Sequence, residues 1–176
     1  MCGQEAVIVT SFIATVALPF LFIAAAVSDA LTFRIPNIIP GVMIALFAVT
    51  AIALPMPMDA IGIHAAVFAA TLVLGMALFA FNIIGGGDAK FFAACGLWVG
   101  LSGLGGFLLS FSIAGGVLAL SLLALRRLPM PAAAARAPWA MRLWSPKAGV
   151  PYGIALGLGA LFIHPKTALF ASMTFQ

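Results

Sequence analysis

The chain has 176 residues, 65% hydrophobic and 7% charged, with a mean hydropathy of +1.26. A soluble domain is nearer roughly 45–50% apolar and about 25% charged, so a soluble globular enzyme, a disordered chain and a nucleic-acid binder with a basic stripe are excluded. The net charge of +4 comes from eight basic and four acidic residues; two cysteines, Cys2 and Cys95, exclude a disulfide framework and a four-cysteine zinc site.

A membrane helix needs about 20 mainly apolar residues. The first is predicted over residues 6–27, bounded by Ser28-Asp29. Residues 1–10 hold no Lys or Arg, and the apolar run exceeds a signal-peptide core, so a retained helix is expected. The second covers 38–54, with Asn37 as its cap and Pro40 in its first turn. It ends at Pro55 and Pro57. The third covers 60–81, capped by Asp59. Residues 89–125 form one apolar stretch, too long for a single crossing. Its break is expected in the small, glycine-rich piece 100–106, giving spans 89–101 and 104–125. The first of these is short, suited to a broken helix or to facing a water-filled cavity. Residues 126–148 form a polar loop with Pro129, Pro131, Pro138, Pro146 and the run 132–135 of alanines. The last span is 149–163. No repeat at a fixed period is present.

Charge placement favours six spans over five. With the N-terminus outside, the inner segments hold Arg34, Lys90, Arg126, Arg127, Arg136, Arg142 and Lys147, and the outer ones only Lys166. That is the asymmetry of the positive-inside rule; joining 89–125 into one span destroys it. The expected fold is therefore all-α, a polytopic membrane protein with one membrane-embedded domain over 1–176.

Ionisable groups at membrane depth are costly and point to function. Glu5 falls in the outer tail and Asp59 in an outer turn. Asp29 closes the first helix and Asp88 opens the fourth, both on the inner side. Two carboxylates at matched depth suit an aspartyl dyad that holds one proton between them: the ionised member takes a proton from water, and the protonated one hydrogen-bonds the peptide carbonyl. Each has a plainer reading, Asp88 as a helix cap and Asp29 as a surface partner of Arg34; the pair together favours the dyad. Gly85-Gly86-Gly87 before Asp88 allows positive φ and close backbone approach, and no Gly-Lys-Ser/Thr follows to make a phosphate loop.

Gly85-Gly86-Gly87-Asp88-Ala89-Lys90 resembles the GxGDxK motif of GxGD-type intramembrane aspartyl proteases, specifically the prepilin peptidases of the type IV leader peptidase family. Asp29 followed by Ile35-Pro36-Asn37 is similar to that family's other catalytic segment, and Val150-Pro151-Tyr152-Gly153 to its last helix. The resemblance implies catalytic Asp29 and Asp88, with Gly85, Gly87, Lys90, Pro36 and Asn37 as supporting motif residues. It also implies a pilin-like precursor as substrate, cleavage at the cytoplasmic face of a bacterial inner membrane, and no metal or cofactor. Neither cysteine lies in a CxxC pair, so the chain looks like the short peptidases of Flp-type (tight-adherence) pilus systems, without the methylating domain of longer members.

Plainer expectations cover other residues. Lys90 snorkels to the interface. Pro36 holds Ile35 extended, leaving an open segment near the dyad. Met43, Met56, Met58, Met76 and the phenylalanines face lipid or core. Trp98, Trp139 and Trp144 suit an interface, as does His64. Two rival readings exist. Gly100-Leu101-Ser102-Gly103 is a GxSG string like that of rhomboid serine proteases, with His164 on the same outer side as Ser102; but His164 is expected at a boundary rather than buried, and 18 glycines make a chance match easy. A non-catalytic scaffold or transporter subunit is the other; charges at span ends rather than mid-membrane disfavour a transporter.

Overall fold

The computed structural model describes residues 2–132, 136–145 and 148–174, and all regular structure among them is helical. The alanines at 133–135, with Pro146 and Lys147, lie outside the described residues. The helices are α1 (Cys2–Phe12), α2 (Leu18–Thr32), α3 (Ile38–Ala53), α4 (Met58–Ala80), α5 (Gly86–Arg126), α6 (Pro138–Trp144), α7 (Tyr152–Ile163) and α8 (Ala168–Thr174). A π-helical turn, Ile13–Ala17, joins α1 to α2, and a 3-10 turn, His164–Lys166, follows α7.

Three helical stretches are long and apolar enough to cross a membrane: Gln4–Thr32, Met58–Ala80 and Gly86–Arg126. The pair Tyr152–Lys166 and Ala168–Thr174, bent by 60°, adds a fourth if taken as one span; Ile38–Ala53 is apolar but shorter.

The 41-residue α5 is not straight. Gly100 sits at φ 66°, ψ −178°, a conformation open essentially to glycine alone. Phe92 stacks on Phe107 with ring centroids 5.8 Å apart, and meets Phe111 at 5.5 Å. In a straight helix, residues 92 and 107 would be separated by roughly 22 Å. The chain therefore folds back at Gly100 into arms 86–99 and 101–126. The expected break is in place, and the second arm begins three residues earlier than expected because one glycine makes the whole turn.

The first arm is almost wholly buried from Asp88 to Gly100, Lys90 excepted. It runs antiparallel to α4: a methyl on Gly75 would lie 3.1 Å from Ala89, and one on Gly96 2.6 Å from the Thr71 hydroxyl. The second arm runs antiparallel to α7, with Gly159 against Phe111 and Gly106 against Ile163. Small residues at these positions let backbones approach, which is how helices associate where lipid competes for apolar surface. Phe22, Phe91, Trp98 and Phe107 fill the centre.

Several local expectations are corrected. The first helix continues past Val27 to Thr32 and ends at Phe33 in the left-handed conformation (φ 55°). Its last carbonyls find partners that sequence alone does not show: Phe33 N–H bonds the Asp29 carbonyl at 2.8 Å and Arg142 donates to that of Thr32 at 2.9 Å. Asn37 and Asp59 make no capping hydrogen bond; Asn37 stands at the N-cap of α3, but Pro57 holds that place in α4. Trp98 is fully buried, its indole N–H donating to the Met43 carbonyl at 3.0 Å. His164 is also buried, at 2% exposure.

Candidate active site

Asp29 lies in the last turn of α2 and is 2% exposed; Asp88 lies in the first turn of α5 and is 8% exposed. Each accepts a backbone N–H at its Oδ2. Gly153, in the first turn of α7, donates to Asp29 at 2.7 Å; Gly85 donates to Asp88 at 3.0 Å. Free N–H groups and the dipole at a helix N-terminus favour a carboxylate there. Both acids thus sit against helix N-termini, Asp29 that of α7 and Asp88 that of its own helix. Asp88 is not itself the N-cap of α5, a place that Gly85 holds; it is the third residue of the helix, and its carboxylate reaches back to accept the Gly85 N–H.

Ile35 joins the two. It is 5% exposed, in the irregular link between α2 and α3. A methyl added to Gly87 would lie 2.8 Å from the Ile35 carbonyl oxygen, and one added to Gly153 2.7 Å from Ile35 Cδ1 and 2.8 Å from Asp29 Cβ. The segment before Asp88 thus packs on the Ile35 backbone, and the residue that holds Asp29 packs on the tip of its side chain. No hydrogen bond joins the two carboxylates among the described residues. The expected open segment is open at Pro36 and Asn37, which are exposed, and closed at Ile35.

The glycine run works differently from expectation. Gly100 is the one glycine with positive φ among the described residues; Gly85 has φ −74°, ψ 154°, and α5 begins at Gly86 rather than at Ala89. Room for Ile35 explains Gly87, and backbone freedom is not needed.

Lys90 does not simply snorkel. Its ammonium donates to Asn37 Oδ1 at 3.1 Å, tying the Ile-Pro-Asn step to the Gly-Asp helix. This bond is exposed, so Lys90→Met should cost about 1 kcal/mol or less, read as a small drop in the thermal midpoint of the purified protein. Asn37→Ala should cost the same and the double variant no more.

Two further residues, to which motif reading gave no role, hold these elements. Gly153 supplies an N–H to Asp29, and Arg142 braces the end of α2 through Thr32. The Pro-Tyr-Gly resemblance flagged Gly153; nothing in the sequence flags Arg142. Beside the α2 end opens a groove of about 570 Å³, lined by Leu31, Thr32, Phe33, Arg34, Arg142 and Gly149 among others; neither aspartate lines it.

At the opposite end, Ser102 is exposed and shares a cleft with His64, whose Nδ1 lies 2.6 Å from the Leu97 carbonyl. His164 is turned elsewhere, its Nε2 2.9 Å from the Ala14 carbonyl oxygen.

Apolar helices around two buried carboxylates, each tied to a helix N-terminus, describe a membrane protein with an acidic site at one end. The model of the type IV leader peptidase family matches residues 16–120, and the chain belongs to that family of peptidases. The match includes both aspartates and ends before Gly153. No curated protein and no solved structure matches the chain.

Proposed function

We propose that the chain is an aspartic endopeptidase that removes the leader of pilin-like precursors at the cytoplasmic face of a bacterial inner membrane. Asp29 and Asp88 are its dyad. One carboxylate takes a proton from water as the water attacks the scissile carbonyl; the other, protonated, hydrogen-bonds that carbonyl oxygen as it becomes tetrahedral and then returns a proton to the leaving amine. The observation that carries this reading is that two buried acids, 59 residues apart in sequence, each accept a backbone N–H at a helix start, while Gly87 beside one and Gly153 beside the other both pack on Ile35. The groove beside Arg34 and Arg142 gives an extended segment a route to the Asp29 helix end.

The test is processing of a leader-bearing pilin-like precursor by the purified protein, followed by gel shift and by the mass of the released leader. Intact precursor after incubation with active-folded protein would end the reading.

Six crossings with the N-terminus outside belong to the same proposal, and the arm 86–99, short but walled by protein, is one of them. Reporters fused at the N-terminus and at Ala134 should report opposite compartments; both on one side would overturn the six-span count. The Ser–His alternative joins Ser102 to a histidine turned toward Ala14. Ser102→Ala should therefore process precursor at the parent rate, and its loss of activity would revive that alternative.

A further inference from the structure

The stretch from Thr10 to Asp29 runs antiparallel to 153–173 along its whole length. Asp29 meets Gly153, Phe22 and Ala26 meet Gly157, Ala14 meets His164, and Thr10 and Ser11 meet Met173. Thr10, Ile13, Ala14, Leu18, Phe22, Ala25 and Asp29 form its buried stripe. In a plain α-helix Asp29 would not lie directly in line with Thr10. Nineteen steps of about 100° overshoot five turns by roughly 100°. The π-helical turn at Ile13–Ala17 absorbs one residue, and so returns Asp29 to the face that Thr10 occupies.

The turn leaves the Ala14 carbonyl without a backbone partner, and the reason is in the sequence. The Leu18 N–H is taken by the Ile13 carbonyl, five residues back. The Ala14 carbonyl would look to residue 19 for the equivalent bond, and residue 19 is proline, which has no N–H. An unpaired carbonyl at membrane depth is costly. His164 fills the gap: a carbonyl oxygen only accepts, so Nε2 carries the proton that bonds it at 2.9 Å, and Nδ1 is left buried without a partner. The ring is held edge-on by Phe22 and Phe170.

We propose that His164 is a positioning residue: its hydrogen bond to Ala14 holds the π-helical turn that rotates Asp29 into the site. For activity this rests on the catalytic reading of Asp29; for geometry it does not.

The experiment therefore uses two readouts. Thiol labelling of Asp29→Cys, in a Cys2→Ser, Cys95→Ala background, reports which way position 29 faces. Precursor processing, with Asp29 intact, reports catalysis. Position 29 should be protected in the parent and in the His164→Gln variant, which keeps a donor, and should become reactive in the His164→Leu variant. Processing should follow: retained with Gln, and reduced with Leu by on the order of a hundredfold in kcat at an unchanged KM.

Two deletions decide the matter even if the leucine variant fails to accumulate. Removing Val16 converts the π-helical turn to α-helix, pairs Ile13 with Leu18 four residues on, and still leaves Ala14 facing proline and dependent on His164. Eighteen steps of about 100° make five turns, so position 29 should stay protected and processing should survive. Removing Ile23, equally lipid-facing at 50% exposure, rotates Asp29 out of register and should abolish both. Equal protection in the leucine variant, or a Val16 deletion as damaging as the Ile23 deletion, overturns the proposal. If labelling behaves as described while processing ignores it, the positioning stands and the catalytic role of Asp29 falls.

Discussion

Asp29→Asn and Asp88→Asn should each lower precursor processing by about 10²–10⁴-fold, the range associated with losing a positioned acid or base. The double variant should fall little further than the worse single one, because two groups that act as a unit are not additive. The substitution is chosen for what it leaves intact. The Asn side-chain oxygen can still accept the Gly153 N–H at position 29 and the Gly85 N–H at position 88. What goes is the capacity to ionise and to exchange a proton. Stability should change little: removing a charge from the first turn of α5 forfeits only about 0.3–1 kcal/mol of interaction with the helix dipole. The result separates the two readings that the geometry of Asp88 supports together. A residue that only caps α5 tolerates asparagine, and processing then proceeds normally in Asp88→Asn. A dyad member does not. Parent-rate processing by either single variant, with normal accumulation in the membrane, would remove that residue from the mechanism.

Which features the sequence makes legible follows from how local their causes are. Composition alone separates this chain from soluble folds. The sorting of charge picks Asp29 and Asp88 from four acids without any view of their surroundings. The break in 89–125 is legible because only glycine accepts the conformation at Gly100, and the stretch is rich in glycine. The end of α2 is not legible: Ser28-Asp29 reads as a stop, but the helix runs another turn because Arg142, 110 residues away, bonds the Thr32 carbonyl. The roles of Asn37 and Lys90 stay hidden for the same reason, since each satisfies the other across 53 residues rather than a neighbouring helix end. His164 beside Pro165 resembles a boundary, and its burial depends on the Ala14 carbonyl 150 residues earlier. One local trace of that arrangement was present: a proline at position 19, inside an apolar helix, removes an N–H that something else must replace.

Gly153→Ala and Gly87→Ala should reduce processing on the order of a hundredfold, while Gly86→Ala and Gly62→Ala should leave it near the parent rate. The distinction rests on room, since neither Gly87 nor Gly153 has positive φ. At Gly153 the new methyl would lie 2.8 Å from both Cβ and Oδ2 of Asp29. Ile35 Cδ1, also too close at 2.7 Å, can change rotamer; the Asp29 Cβ cannot, so the carboxylate must leave its N–H donor. At Gly87 the obstruction is the Ile35 backbone, with its carbonyl oxygen at 2.8 Å and its nitrogen at 3.3 Å. No side-chain rotation relieves that, and the 33–36 link must shift relative to Asp88. Overpacking of this kind costs about 1–3 kcal/mol in stability, which a protein can survive; a misplaced carboxylate loses rate beyond that, because general acid–base work depends on position. Gly86 meets only the Phe79 ring at 3.5 Å, an ordinary contact, and Gly62 meets nothing within 4 Å. Both lie in helices, where alanine is favoured over glycine by up to about 1 kcal/mol, so these two variants should be as stable as the parent or slightly more so. Gly85→Ala should fall between: its backbone angles suit alanine, but the methyl would press on Asp88 Oδ2 at 3.1 Å. Processing rates and thermal midpoints for the five variants test the order. If Gly86→Ala is as damaging as Gly87→Ala, the run before Asp88 is needed for its freedom of movement, and the packing of Gly87 and Gly153 on Ile35 is not what sets the site.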